Sequence, residues 1–284
     1  MNRMLSSAVT RREFLGAVGV TGAALGLGVA PQTQAASSKK IPVGLQLYSV
    51  REQCKADLPG TLAKVSKIGY RAVEFAGYHG RSAPELRKLL DDNGLVACGT
   101  HTPYESVLGD KLQQTVVFNH TIGNQFLIVP WMNETKSRQE WLDRAKLFNE
   151  LADKLKPDGM WIGYHAHQHD FRKIDGITAW DLFFGNTKAE VIMQLDTSNC
   201  CEGGADPLAV LKKYPGRVRS IHLKAYGGGP DAVIGEDKID WQAIFAFCES
   251  KGKTQWYVLE HESAKDPLDA VRRSYEALKR MGKV

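Results

Sequence analysis

Gly163-Tyr164-His165-Ala166-His167, Gln194-Leu195-Asp196-Thr197, Ile221-His222-Leu223-Lys224 and Val258-Leu259-Glu260-His261 are the stretches whose reading decides the fold. Each is an apolar or β-branched run that stops at a side chain able to bind a metal. They follow one another at roughly 30-residue intervals, the length of one strand–helix unit. In a parallel barrel, the loops after the strands build the active site at the strands' carboxyl ends. One such ending alone is an ordinary polar terminator. Four in regular order point to two histidines and two carboxylates converging on a divalent-metal site.

Working outward, short apolar strands alternate with periodic helices from residue 41 onward. Strands are expected at residues 42–48, 72–75, 96–100, 126–129, 161–164, 191–195, 218–223 and 256–259. A helix over 58–67 carries Leu58, Leu62, Val65 and Ile68 on one face. Ser82 and Glu85 form a capping box, and Asp206-Pro207, Asp266-Pro267 and Asp240 open further helices. Gly69, Gly94, Gly159 and Gly252 fall where a helix needs a left-handed terminator. Eight such units without a break in composition read as a single (β/α)8 TIM barrel spanning residues 36–284, the usual size of that domain. An open doubly wound sheet is the runner-up, but no glycine fingerprint follows the first strand. Gly227-Gly228-Gly229-Pro230 reads as a flexible active-site loop, with phosphate binding a second choice.

Residues 1–35 stand apart. Thr10-Arg11-Arg12-Glu13-Phe14-Leu15 matches a twin-arginine export signal, followed by an apolar Gly/Ala-rich run from Leu15 to Ala30 and the small-residue site Thr33-Gln34-Ala35. The run is too short and too weakly apolar for a stable membrane span. A periplasmic protein is expected, exported folded, as suits an enzyme that loads its metal beforehand.

The formal charge is +5, and +3 without Arg3, Arg11, Arg12 and Glu13. No Lys/Arg cluster tracks a nucleic-acid backbone. The basic run from Arg272 to Lys283 reads as the solvated face of the last helix. The five cysteines, Cys54, Cys98, Cys200, Cys201 and Cys248, have no zinc-ribbon spacing, and their odd number argues against a disulfide framework. Cys98 and Cys248 are expected to be buried thiols, whereas Cys200-Cys201 lies close enough to Asp196 in sequence to approach the site.

Taken together, Gly-Tyr-His-x-His, Leu-Asp-Thr, His-Leu-Lys, Gly235-Glu236 with Ile239-Asp240, and Leu259-Glu260 resemble the xylose isomerase-like TIM-barrel superfamily. More narrowly they are similar to its sugar phosphate isomerase/epimerase branch, as is the opening Val43-Gly44-Leu45-Gln46-Leu47-Tyr48-Ser49. The resemblance covers residues 41–280 and implies one divalent ion (Mn, Co, Mg or Zn) on His165, Asp196, His222 and Glu260. His165 and His167 share a strand face, and spacing alone allows the reverse order, with His167 as the ligand. His169 reads as a surface-loop residue.

The resemblance further implies proton abstraction beside a metal-chelated carbonyl, through an enediolate, with a carboxylate moving the proton. Many family epimerases use two glutamates, on strands five and eight. Here strand five offers histidine, leaving Glu260 as the matched carboxylate, with Glu74 and His101 as candidates for the second acid or base. Lys224 and His167 are candidate substrate contacts, and Ala225 stands where the family often has Asp. Tyr48, Tyr104, Trp131 and Tyr226 are candidate sugar-stacking aromatics.

The function expected is a metal-dependent sugar isomerase or epimerase acting on a small carbohydrate. The alternative is a lyase or hydrolase cleaving 3-keto-glycosides by β-elimination, which an exported address and the altered strand five both favour. An abasic-DNA endonuclease would need more metal ligands and a basic face. A retired, non-catalytic sugar binder would not need Asp196, His222 and Glu260 intact. An oligomer is compatible with the sequence, which fixes no oligomeric state.

Overall fold

The structure, a computed structural model, describes residues 40–284; the twin-arginine segment lies outside the described residues. Eight parallel strands close into a barrel: β1 (Val43–Gln46), β2 (Ala72–Ala76), β3 (Val96–His101), β4 (Phe126–Val129), β5 (Trp161–His165), β6 (Ile192–Asp196), β7 (Ser220–Leu223) and β8 (Trp256–Leu259). Each pairs with its neighbours in sequence, and Gly44 closes the ring, opposite Ala72 on one side and Val258 on the other. A two-residue hairpin, Lys173–Ile174 with Ile177–Thr178, decorates the loop after β5.

Most of the apolar core lies between the barrel wall and the surrounding helices. The barrel interior is filled by two smaller clusters, Ala72–Cys98–Val258 and Phe126–Ile128–Ile192. Space inside is tight where small residues stand. A Cβ on Gly44 would lie 2.6 Å from Cys98 Sγ, and one on Gly163 would lie 2.6 Å from Ile128 Cδ1. Gly163 and His165 are two apart and therefore share the inward face. The glycine fits beside Ile128 and Ile192 while the histidine rises above them into the mouth.

The strand expectations hold to within a few residues, except at β1. There Gln46 Oε1 accepts the Tyr48 N–H (2.9 Å) and turns the chain into a 3-10 helix over Leu47–Val50. The Ser82–Glu85 box forms, with Glu85 accepting the Ser82 backbone N–H at 2.8 Å. Asp206, Asp240 and Asp266 each cap the helix that follows. Of the expected glycine terminators, Gly252 does not take a positive φ; the left-handed turn falls on Lys253 (φ 55°). Cys98 and Cys248 are buried, and all five thiols are free.

Candidate metal centre and active site

The carboxyl ends of the strands carry a buried polar layer in two tiers. In the upper tier, one ligand atom each from His165, Asp196, His222 and Glu260 lies within 4.8 Å of the others. His165 ends β5, Asp196 ends β6, His222 sits in β7 and Glu260 follows β8. The lower tier is Gln46, Glu74, Gln194 and Ser220, all fully buried.

Hydrogen bonds between the tiers orient the ligands. Gln194 Nε2 donates to Glu74 Oε1 (2.8 Å) and Ser220 Oγ (3.0 Å), so the amide oxygen faces the histidines. That oxygen only accepts. His165 Nδ1 and His101 Nε2, each 3.0 Å away, are therefore the protonated nitrogens. His165 is left with an unprotonated Nε2, the form a metal ligand requires. Burial, reinforced by the charges of His222 and His101, holds its pKa well below the ordinary value, so the ring stays neutral.

His222 is gripped at both ends. Nε2–H donates to Glu74 Oε2 (2.6 Å), while Nδ1 faces Glu260 Oε2 at 2.6 Å and Asp196 Oδ2 at 4.0 Å. Glu74 thus stands behind the histidine where the outer carboxylate of a carboxylate–histidine–metal arrangement would stand if His222 held an ion. Burial opposes charge on His222, but Glu74 and Glu260 outweigh it and push the pKa up to about 10. Burial also works against ionisation of Glu74 and Glu260. Glu74 is nevertheless held well below the usual carboxylate range by His101 and His222, and Glu260 by Lys224 and His222.

Asp196 supplies the clearest sign of a cation site. Oδ1 accepts the Asn199 N–H at 2.7 Å, capping the helix Thr197–Glu202, whereas the buried Oδ2 has no hydrogen-bond partner. Burial pushes its pKa up to about 6. An orphaned carboxylate oxygen beside two imidazole nitrogens and a second carboxylate is a donor set that fits one divalent cation. Ring nitrogens of His101, His165 and His222 also lie within 4.8 Å of one another, but this trio brings no negative charge, and His101 Nε2 is already committed to Gln194.

Above the centre opens a cavity of about 880 Å³, lined by Tyr48, His101, His165, His167, Lys224 and Glu260 among others. Glu74 does not line it: the expected catalytic carboxylate is fully buried and saturated by Gln46, Gln194, His222 and His101. Trp131 does not line it either, although its ring meets that of His167 edge-on at 4.8 Å. Tyr226 and the glycine-rich loop do contribute to the rim, but Tyr104 does not. His169 is not a surface residue as expected; it is buried against Trp131. Cys200 and Cys201 also miss the cavity, and burial raises the Cys201 pKa to about 11, so its thiol stays protonated.

The sequence reading passed over Gln46, Gln194, Asn199, His261 and Glu262. Gln194 was legible as a polar residue in an apolar strand, two before Asp196 on the same face. Glu262 lies beyond the strand pattern; it takes the Lys224 Nζ at 3.0 Å and joins the cavity wall. Lys224 also reaches Asn199 Oδ1 (3.3 Å) and Glu260 Oε1 (3.5 Å).

The sequence profile described as Xylose isomerase-like TIM barrel matches residues 62–281. The chain belongs to that family. Among curated proteins it is similar to an inosose dehydratase of Serratia proteamaculans (strain 568), 23% identical over 247 residues that cover 71% of this chain and 81% of that one. It is also similar to the rhizopine catabolism protein MocC of Rhizobium meliloti, 22% identical over 272 residues, 81% of each chain. A solved sugar phosphate isomerase/epimerase from Parabacteroides distasonis ATCC 8503 superposes with a TM-score of 0.76 at 21% identity, covering 86% of this chain and 98% of that one. At that identity the structural likeness shows the shared fold.

Proposed function

We propose that the protein is a divalent-metal-dependent carbohydrate enzyme that removes the proton beside a carbonyl and then expels an oxygen from the neighbouring carbon, a lyase-type β-elimination. One observation carries this reading: of the four ligands only His165 and Glu260 line the cavity, so a single carboxylate of the set faces substrate. His165 cannot replace a second glutamate as base, because its Nδ1 proton is committed to Gln194 and its Nε2 faces the ion site.

A bound divalent ion would supply Lewis-acid stabilisation of the negative charge that develops on the carbonyl oxygen. Glu260 accepts the proton from the carbon beside the carbonyl, and the C–H electron pair moves onto that oxygen. When the pair returns, a carbon–carbon double bond forms and the C–O bond on the next carbon breaks. Glu260, protonated in the first step, passes that proton to the departing oxygen, while His101 lines the cavity with its Nε2–H committed to Gln194 and an unprotonated Nδ1 free to accept a hydrogen bond from substrate. Lys224, held cationic by Asp196, Glu260 and Glu262 against the cost of burial, donates toward substrate oxygens.

The curated relatives named as dehydratases support elimination. An unphosphorylated substrate fits best. Among the described residues Lys224 is the one Lys or Arg side chain in the cavity wall, and its partners already surround it. The isomerase or epimerase reading shares the first step and returns the proton instead; His101 and Glu260, both facing the cavity, give it two groups to work with.

Incubating metal-loaded protein in D2O with free ketoses and with 3-keto-glucosides separates the two. Aglycone or water loss with an unsaturated ketone is the expected result. Deuterium incorporation into an isomerised sugar without elimination favours the second reading, and no exchange on any carbonyl sugar defeats both.

A further inference from the structure

Beside the catalytic cavity lies a second depression of about 710 Å³ that shares Pro130 with it. Its wall includes Trp131, Tyr104, Asn133, Glu105 and Asp143. Trp131 is 45% exposed, unusual for so large an apolar ring. It also touches the wall of the catalytic cavity from the other side. Its indole meets His167 at 4.8 Å between ring centres, and His167 meets His165 of the metal centre at 5.0 Å.

We infer that this depression is a subsite for a second, uncharged sugar ring, so that the substrate is a glycoside of at least two rings. The inference rests on the carbohydrate reading above. Aromatic rings give the apolar faces of a sugar a platform, while carboxylates and an amide accept and donate to its hydroxyls. The charge balance selects a neutral occupant. Glu105, Glu140 and Asp143 line the depression against one cation, Arg144, which is buried, paired with Glu140 and laid over Trp141. A phosphate would meet net negative charge there. The path from His165 through His167 to Trp131 spans two ring contacts, so the first ring can reach Glu260 while the second rests beside Trp131.

The test is binding to the metal-loaded protein, by calorimetry or ligand-observed NMR, of glucose, maltose, cellobiose and glucose 1-phosphate. At least one disaccharide should bind about tenfold tighter than glucose, the worth of one aromatic platform. Glucose 1-phosphate should bind no tighter than glucose. Trp131→Ala should erase the disaccharide advantage while leaving glucose affinity and melting temperature near parental values, and Tyr104→Ala, which also removes packing against the core, should erase it in protein that remains folded. Equal affinity for one and two rings, or an advantage that survives in both folded variants, overturns the subsite and leaves the proposed function standing. If the parent binds neither glucose nor a disaccharide, the carbohydrate reading falls and the subsite with it.

Discussion

Glu74 Oε2 accepts the Nε2–H of His222 at 2.6 Å, and this contact turns the opposite nitrogen, Nδ1, toward Asp196 and Glu260. In the proposed centre Glu74 therefore positions a ligand, and it does not line the cavity. Glu74→Gln should fold, weaken metal affinity by about 10–100-fold, the usual cost of losing such an outer carboxylate, and regain most of its turnover at saturating metal. A variant that is metal-replete at ordinary concentrations yet slow would instead make Glu74 an acid or base.

Gly99 offers an independent route to the same contact. A Cβ there would lie 2.3 Å from Glu74 Oε1, and that carboxylate is pinned by Gln46, Gln194 and His222. Gly99→Ala should thus lower metal affinity in the same direction as Glu74→Gln although it touches no ligand. Metal titration of the two variants side by side checks this; parental affinity in Gly99→Ala would show that the buried tier yields easily.

Asp196 does two jobs with two oxygens, and substitution can part them. Asn keeps a cap acceptor for the Asn199 N–H but removes the charge of the orphaned Oδ2. Asp196→Asn should lose bound metal in elemental analysis while the metal-free proteins melt alike. Asp196→Ala should cost about 1 kcal/mol more by losing the cap. Full metal occupancy in Asp196→Asn would remove Asp196 from the ligand set.

Without metal, the His222 proton stabilises the fold in a defined pH window. Its folded pKa of about 10 stands above the ordinary 6.5, so this stabilisation is complete below pH 6.5 and drains away as pH rises toward 10. Glu74 and Glu260, held below the ordinary 4.5, contribute stability above that value that is lost in acid. Melting of the chelated protein should therefore peak near pH 5–6.5 and decline on the alkaline side. Glu74→Gln should flatten the alkaline decline; an identical decline would locate it elsewhere.

How much of this was legible in the sequence follows from the periodicities. Strand ends announce themselves because a β-strand alternates faces and stops at its loop, so Asp196, His222 and Glu260 stand out by position, whereas His165 is separated from His167 only by the family resemblance. A carboxylate in an apolar strand demands a reason, so Glu74 stands out, but its partners come from β1, β3, β6 and β7, and no local pattern reveals which side of the candidate centre it occupies. His169, expected at the surface, is buried against Trp131. It lies in the short 3-10 helix Gln168–Phe171 after β5, and the placement of such a connection is set by tertiary contacts that strand and helix periods do not encode.

The central claim is that Glu260 alone among the ligands removes the proton beside the carbonyl. The most direct measurement is the rate of solvent deuterium exchange or elimination on a 3-keto-glucoside by parent and Glu260→Gln, each at saturating metal with occupancy measured in parallel. Parent should turn the substrate over, and Glu260→Gln, even where metal is restored, should fall by about 10²–10⁴-fold, the usual range for removing an acid–base group. A metal-replete Glu260→Gln that exchanges or eliminates at the parental rate would contradict it.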